Sequence, residues 1–590
     1  MNPSVPTADP TATSPGAADR PAGVEHARIL SNGRFYNFSN GRFYIWLTLV
    51  ALAIGALSLL FPSTPSYDPW SWLVWGREIL HLSLHTPGGP TWKPLPVIFT
   101  TVFALFGQAQ PDLWLVIARA GALIACVMAF KLSARIVWWM RMRATAGGEQ
   151  GAPRSERARA RAAAPAGKLE RLLALAPALL AGAIAMAELA LSGGFLSAST
   201  LGYSEGLMVA AVLIAVERHL DNHRHQAFAL GFVAALDRPE IWLFWGPYGL
   251  WLMWKDPSSR KLVLGLAVLT LVLWFVPQKL GGGSFTSGVT RAQHPRSNSA
   301  AFASCPFCTE LVDHAWPQVL WRIKAAAALA VVVALVLLLA LWRARPGFLQ
   351  WRPWRADAGF EFASERERAL VVLVACGTFG LIWWVLVALE TQAGFSGNDR
   401  YLVLGSALIE VAGGAGFGWA AIALARLAKR NAPALGRLGL RKTTSLATLL
   451  CAAVFLVVPH WVGASLIDIP ETHASLLYQA HLRQDVSALI KRGGGAKAVL
   501  ACGTVMSEGF QVPMVAWYLG ARTLRVEAPP AVNAQGVAPL PWPNVIFQDR
   551  DTRHASLLPL RQTILAWEHA GAHYTFTPTR TVYFFEDCRK

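Results

Sequence analysis

Long apolar runs separated by short polar segments occupy the chain as far as about position 467, and the texture then changes. The run Phe43–Phe61 is 19 residues long, enough to cross a hydrocarbon layer of ~30 Å as a helix. Leu113–Val137 predicts a second crossing. Pro94–Gly107 is shorter than a span requires and predicts a helix lying in one leaflet. Further crossings are expected at Leu172–Leu191, Gly206–Ala215 with its flanks, Ala227–Ala235, Ile241–Trp254, Leu262–Val276, Ala325–Trp342, Leu370–Leu389, Leu402–Leu424 and Leu446–Leu466. That makes eleven, with the chain termini on opposite sides. Ala227–Trp254 admits two readings, two short helices or one helix kinked at Pro239, and the second would invert everything after it.

Residues 468–590 alternate differently. A helical pattern over Leu476–Arg492 precedes an apolar run, Ala498–Cys502, that reads as a buried strand. Val512–Leu519 reads as a helix, and Thr523–Val526, Val545–Phe547 and Thr581–Phe585 as strands. Together these predict a small α/β domain.

Composition narrows the class. Of 590 residues 54% are hydrophobic and 15% charged, with 25 Trp, which excludes a disordered or fibrous chain and disfavours a soluble enzyme. The net charge of +18 would suggest nucleic acid in a soluble protein, but here its distribution fixes orientation and no nucleic-acid partner is expected. Arg20, Arg28, Arg34 and Arg42 precede the first run, so residues 1–42 read as a disordered cytoplasmic N-terminus. Arg141, Arg143, Arg154, Arg157, Arg159, Arg161, Lys168 and Arg171 mark the loop 138–171 as cytoplasmic. Lys255, Arg260 and Lys261, then Arg343 and Arg345, then Arg426 to Lys442 mark further inner loops. The C-terminal domain then falls outside the cytoplasm, and the protein in the cell membrane.

The cysteines fit this topology. Cys126, Cys376 and Cys451 lie in expected helices, whereas Cys305, Cys308, Cys502 and Cys588 all lie in segments assigned outside. An even outside set permits two disulfides. The Cys305-Pro-Phe-Cys308 spacing also suits a metal half-site, but no second Cys or His pair stands nearby at zinc spacing.

The loop at 62–94 carries the first candidate chemistry. Trp72, Trp75, Ile79 and Leu82 recur at helical spacing, with Arg77, Glu78 and His81 opposite, which predicts an interfacial amphipathic helix. Asp68-Pro69 opens it, as an N-cap or as a general base at the membrane surface. Trp92-Lys93-Pro94 begins the short helix, and Lys93 suits either a snorkelling anchor or a phosphate contact. Tyr203-Ser204-Glu205, Asp237-Arg238-Pro239-Glu240 and Asn398-Asp399-Arg400-Tyr401 stand where crossings begin or turn. On the expected topology Asp68, Glu78, Lys93, Glu205, Arg238, Glu240 and Arg400 share one side of the bilayer. Ionisable groups at membrane depth generally face a cavity or a partner, so scattered anchoring explains seven of them poorly.

These motifs resemble the membrane-embedded glycosyltransferases of the GT-C fold, chiefly the protein-mannosyltransferase and aminoarabinose-transferase branch and its actinobacterial relatives. The likeness covers residues 43–427. It rests on Tyr67-Asp68-Pro69, the Lys93-Pro94-Leu95 segment running to Phe106-Gly107, Ala118-Arg119-Ala120-Gly121, Tyr203-Ser204-Glu205, Arg238-Pro239-Glu240 and Asn398-Asp399-Arg400-Tyr401. The resemblance implies an α-helical multi-pass protein that transfers a sugar, with inversion, from a polyprenyl-phosphate donor. The acceptor would be a cell-envelope glycan, glycolipid or secreted protein outside the cytoplasm. It makes Asp68 the base, and Lys93 and Arg400 the donor phosphate contacts. Glu78, Glu205, Arg238, Glu240 and Tyr401 would line the cavity. Many relatives pair two acidic residues in the first loop; here Pro69 follows Asp68, and Glu78 is the remaining candidate for the second. No metal or other cofactor is expected to be required. Two further readings are a lipid-linked-sugar flippase and a non-catalytic envelope scaffold. A transporter should carry polar residues through the bilayer depth and internal repeats, whereas Glu410 is the clearest mid-membrane charge and no repeat is evident.

Overall fold

The computed structural model describes residues 41–141, 168–295, 299–344, 364–431, 439–456, 468–529, 541–550 and 559–588. The expected N-terminal segment 1–40, most of the basic loop 138–171 and the end of the last expected crossing lie outside the described residues. The chain divides into two compact units after Val50, and the architecture below is that of residues 51–590.

Among the described residues, six helical stretches are long and apolar enough to cross a membrane: Gly41–Leu60, Pro94–Arg141, Pro257–Gly282, Trp321–Ala344, Glu365–Gln392 and Asp399–Ala428. A seventh arises if Gly193–Thr200 and Glu205–Leu220, bent by 114°, form one broken span. This is fewer than the eleven expected. Leu175–Leu191 and Thr443–Leu456 are the apolar parts of helices of 24 and 18 residues, and the run expected at Leu446–Leu466 continues beyond the described residues. Ala227–Trp254 becomes two short helices of 12 and 14 residues, joined by a turn and a 3₁₀ segment at Pro239–Ile241. Both fall well under the ~20 residues of a comfortable span. The apolar runs are there, but turns at Asn222, Asp237 and Asp256 cut them below crossing length.

In chain order the helices are α1 (Gly41–Leu57), α2 (Tyr67–Leu80), α3 (Pro94–Phe103), α4 (Gln110–Arg141), α5 (Lys168–Leu191), α6 (Gly193–Thr200), α7 (Glu205–Leu220), α8 (Arg224–Ala235), α9 (Trp242–Lys255) and α10 (Arg260–Gly282). They continue with α11 (Trp321–Ala344), α12 (Glu365–Gln392), α13 (Val403–Asn431) and α14 (Gly439–Leu456). Between α3 and α4 the helical path breaks at Gly107, whose φ of 55° a residue with a Cβ adopts reluctantly. The short α3 is thus separated from the 32-residue α4, as its apolar length suggested.

At the centre α13 packs against α5, α11, α12 and α14. The run Gly413-Gly414-Ala415-Gly416-Phe417-Gly418 makes this possible. A Cβ on Gly414 would stand 2.4 Å from Ala181 O and one on Gly418 2.6 Å from Pro177 O, both on α5. Cβ atoms on Gly413 and Gly416 would meet Ile323 O and Ala326 O on α11, each at 2.6 Å. Small residues on two faces let one helix approach two neighbours at backbone distance, where packing and polar contacts, not hydrophobic exclusion, hold helices together.

The C-terminal segment comprises α15 (Ile469–Arg492), α16 (Ala496–Cys502), α17 (Val512–Tyr518) and α18 (Arg561–His569) around a mixed five-stranded sheet. Its strands are β1 (Val505–Ser507), β2 (Val526–Glu527), β3 (Val545–Asp549), β4 (Thr575–Pro578) and β5 (Val582–Glu586), in the order β2-β1-β3-β5-β4. β1 pairs in parallel with β2 and β3, and β5 antiparallel with β3 and β4. Two expectations fail here. Ala498–Cys502 is helical, because a short apolar run does not distinguish the two states and Ala and Leu favour helix. Most of Thr523–Val526 is a 3₁₀ turn, with only Val526 and Glu527 in a strand. Disulfides join Cys305 to Cys308 and Cys502 to Cys588.

The expected interfacial helix is α2, and its apolar stripe is covered by protein. Trp70, Trp72, Leu73, Val74 and Trp75 are all buried, so the helix has no lipid-facing stripe. The core that covers it is shared: Trp70, Trp72 and Trp114 belong to one apolar cluster with Leu482, Val515, Trp517 and Phe547 of the C-terminal segment. Leu82 lies beyond the end of the helix, 96% exposed and with φ 53°, off the face assigned to it.

Candidate functional site

Backbone bonds bring four distant motifs together. Ser66 N–H donates to Leu201 O at 2.9 Å, and the Ser66 and Tyr203 hydroxyls bond at 3.0 Å. This sets the first turn of α2 beside the bend that precedes α7. Leu95 N–H donates to Leu236 O at 3.0 Å, which places the start of α3 beside the turn after α8. That turn is held by Trp242 and Trp274, whose indole N–H groups both donate to Ala235 O. Trp383 and Trp384 of α12 donate to Tyr401 O and Leu402 O, fixing the segment before α13.

The side chains so assembled form one network. Arg400 Nη1 lies 2.7 Å from Asp68 Oδ2 and 3.8 Å from Glu205 Oε1. Lys93 Nζ lies 3.1 Å from the same Glu205 oxygen, 4.0 Å from Asp237 Oδ2 and 3.5 Å from Ser204 Oγ. The Arg400 guanidinium stands 4.2 Å over Tyr203 and 5.0 Å from the Tyr401 ring centre. Arg238 pairs with Glu240 at 2.5 Å and covers the other ring approach to Tyr401 at 3.8 Å. Glu390, near the end of α12, lies beside the Glu240 side chain.

Asp68, Lys93, Glu205, Arg238, Glu240, Arg400 and Tyr401 therefore converge. Asp68 is not the helix cap, since α2 begins at Tyr67 with Ser66 preceding it. Glu78 stands apart: ten residues further along α2, it is ~15 Å from Asp68 along the axis. Its Oε2 accepts from His85 N–H at 2.8 Å, so it is held by the loop that follows α2, with Arg522 of the C-terminal segment as a nearby charge, and not by this network. Its carboxyl is pushed up to about 7, chiefly by burial. Tyr203, Ser204 and Asp237 join the network although no role was assigned to them from sequence. Glu390 sits in an apolar run with no flanking motif, and only its being an acid inside an expected crossing could have flagged it.

Electrostatically, burial alone would lower the Lys93 ammonium, but Asp237 and Glu205 outweigh it and hold the group above its ordinary value. Burial raises Asp237, and the Glu205 charge adds to this against the pull of Lys93. Burial also opposes charge on Glu240, yet Arg238 overrides it and keeps the carboxyl low. Three cations thus stand among the carboxyl groups Asp68, Glu205, Asp237 and Glu240. Among the described residues, no group of three or more His, Cys, Asp or Glu is arranged to hold a metal ion.

The helices define a multi-pass membrane protein with a small C-terminal mixed-sheet region. Searches against protein-family models, curated proteins and solved structures return no match.

Proposed function

We propose that this chain is an inverting glycosyltransferase that moves a hexosyl or pentosyl group from a polyprenyl-phosphate donor to a cell-envelope glycan, glycolipid or secreted protein. The observation that supports it most is the 2.7 Å pair of Asp68 and Arg400, set in a buried cluster that also holds Lys93. A donor phosphate competes with Asp68 for Arg400 and with Glu205 for Lys93. Charge-assisted bonds from both cations hold it at the membrane surface with its polyprenyl tail among the helices.

When Arg400 turns to the phosphate, Asp68 loses its counter-ion and becomes a stronger base. Donor binding thereby activates the group that acts on the acceptor. The acceptor hydroxyl gives its proton to Asp68 while its oxygen bonds to the anomeric carbon. The bond from that carbon to the phosphate oxygen breaks from the opposite face. Its electron pair leaves with polyprenyl phosphate, whose charge Lys93 and Arg400 stabilise. Arg238, locked by Glu240 and stacked on Tyr401, fixes the ring beside Arg400. In this reading the N-terminus is cytoplasmic and the C-terminal domain extracytoplasmic.

The test is transfer from a polyprenyl-phosphate sugar by purified Asp68→Asn protein. Loss of about 10²–10⁴-fold in rate is expected, with membrane insertion and thermal transition unchanged; full activity would remove Asp68 as the base. Lipid and glycan analysis of a deletion strain should show an accumulated lipid-linked sugar and a truncated glycan.

One observation favours a transport reading. Glu410, inside α13, is fully buried, and among the described residues neither carboxylate oxygen has a hydrogen-bond partner, which suits a group that titrates during a cycle. Retained lipid-linked-sugar flipping in Asp68→Asn vesicles, lost in Glu410→Gln, would support that reading over transfer.

A further inference from the structure

A cavity of about 550 Å³ lies away from the Asp68 network, between the end of the first span and the C-terminal segment. One wall is Leu59, Leu60 and Phe61, of which Leu60 is 80% and Phe61 73% exposed. They continue the apolar surface of the same helix, where Ile54 and Leu57 are also exposed, so this wall meets the boundary between hydrocarbon and headgroups. The opposite wall is one face of α15: Gln484, Ser487, Ala488 and Lys491, at the spacing of neighbours on a helix surface.

The polar inventory decides what fits. At the floor Arg483 donates to Asp112 Oδ1 at 2.8 Å, to Ser63 O at 3.0 Å and to Tyr518 OH at 3.1 Å. Asp112 and Arg483 therefore neutralise each other. Among the described residues, the side chains of Gln484, Ser487 and Lys491 make no hydrogen bond or ion pair. The cavity thus offers one uncompensated cation and neutral donors opposite an exposed apolar wall. A free phosphate would leave that wall in contact with water, and a neutral lipid would leave Lys491 without a partner. An amphiphile with an anionic headgroup satisfies both, and the volume lies in the range of small-molecule sites.

We propose that this cavity binds the headgroup of an anionic glycerophospholipid from the surrounding leaflet, its phosphodiester on Lys491 and Ser487 and its acyl chains along Leu60 and Phe61. Bound there, the lipid clamps α15 to the loop at Ser63, five residues before Asp68. The proposal does not depend on the transfer reaction.

Native mass spectrometry of the full chain, equilibrated with equal amounts of phosphatidylglycerol and phosphatidylcholine, tests it. Wild type should retain phosphatidylglycerol about fivefold over phosphatidylcholine, the scale of one lysine acting on an anionic lipid. Lys491→Glu should bring the ratio to about one, and Ser487→Trp, which fills the cavity, should release the lipid. Lys497→Gln, outside the cavity, should change nothing. Equal retention in wild type overturns the proposal, as does a preference that survives both Lys491→Glu and Ser487→Trp. Displacement of phosphatidylglycerol by equimolar polyprenyl phosphate would overturn the assignment of occupant. Lys491 is exposed, so its variant folds and carries the test even if Ser487→Trp does not.

Discussion

Arg400 serves two partners, Asp68 and the aromatic rings of Tyr203 and Tyr401, and a planar guanidinium is needed for both. Lysine keeps the charge but neither stacks nor binds phosphate in two-point fashion. Arg400→Lys should therefore weaken donor use by about tenfold or more, and an unchanged apparent donor affinity would show that charge alone suffices there. A second residue near this segment reports on pH. His314 Nδ1 lies 2.9 Å from Glu310 and 3.4 Å from Asp399. The Glu310 hydrogen bond raises its pKa most; burial opposes this, and the charges of Asp399, Glu310 and Asp313 assist it. A histidine raised in the folded state contributes stability that is complete below its ordinary value of about 6.5 and is lost as pH rises through the raised one. Wild type should lose thermal stability across that window more steeply than His314→Gln. Parallel slopes would show that the imidazole stays neutral throughout.

The helices follow their apolar patterns, but their packing follows from small residues. Gly414 and Gly418 stand one turn apart on the side of α13 that touches α5, at distances no side chain permits. Gly414→Val should cost about 1–3 kcal/mol or more through overpacking, read as a lowered transition temperature in detergent. Gly246→Ala is the contrast: nothing lies within 4 Å of its Cβ position, and the change should stabilise α9 by about 0.5–1 kcal/mol. If both behave alike, close approach is not what the glycines of α13 provide. The amphipathic reading of α2 failed for a related reason. A stripe of Trp residues says that one face is buried and leaves open what covers the other, and here the C-terminal segment does.

In the whole molecule that segment is not an appendage. Arg77 of α2 donates to Trp517 O at 2.9 Å and to Ala521 O at 2.6 Å, and Trp517 Nε1 donates to Gln110 Oε1 at 2.7 Å. Trp517 also packs on Trp70, ring centres 5.4 Å apart. Trp517→Ala should cost about 3–5 kcal/mol and should lower transfer by loosening the helix that carries Asp68. Activity equal to wild type at a temperature where the variant is folded would separate the two regions. The charge pattern predicts the orientation, and labelling intact cells with an impermeant thiol reagent tests it. Lys497→Cys should react and Arg260→Cys should not; the reverse would invert the topology.

The sequence by itself determined that the chain is a helical membrane protein with a mixed-sheet C-terminal segment, because apolar length and strand-like alternation are local properties. It also singled out Asp68, Lys93, Glu205, Arg238, Glu240, Arg400 and Tyr401, because charge beside long apolar runs is conspicuous. Tertiary structure alone decided that these seven meet while Glu78 does not, that Asp237 and Glu390 join them, and that α2 is covered on every side. Local turns decided which apolar runs attain crossing length. Pairing of charges depends on which turns are hydrogen-bonded to which, as Ser66 is to Leu201 and Leu95 to Leu236. Those bonds join positions more than a hundred residues apart, where no periodicity along the chain can reach.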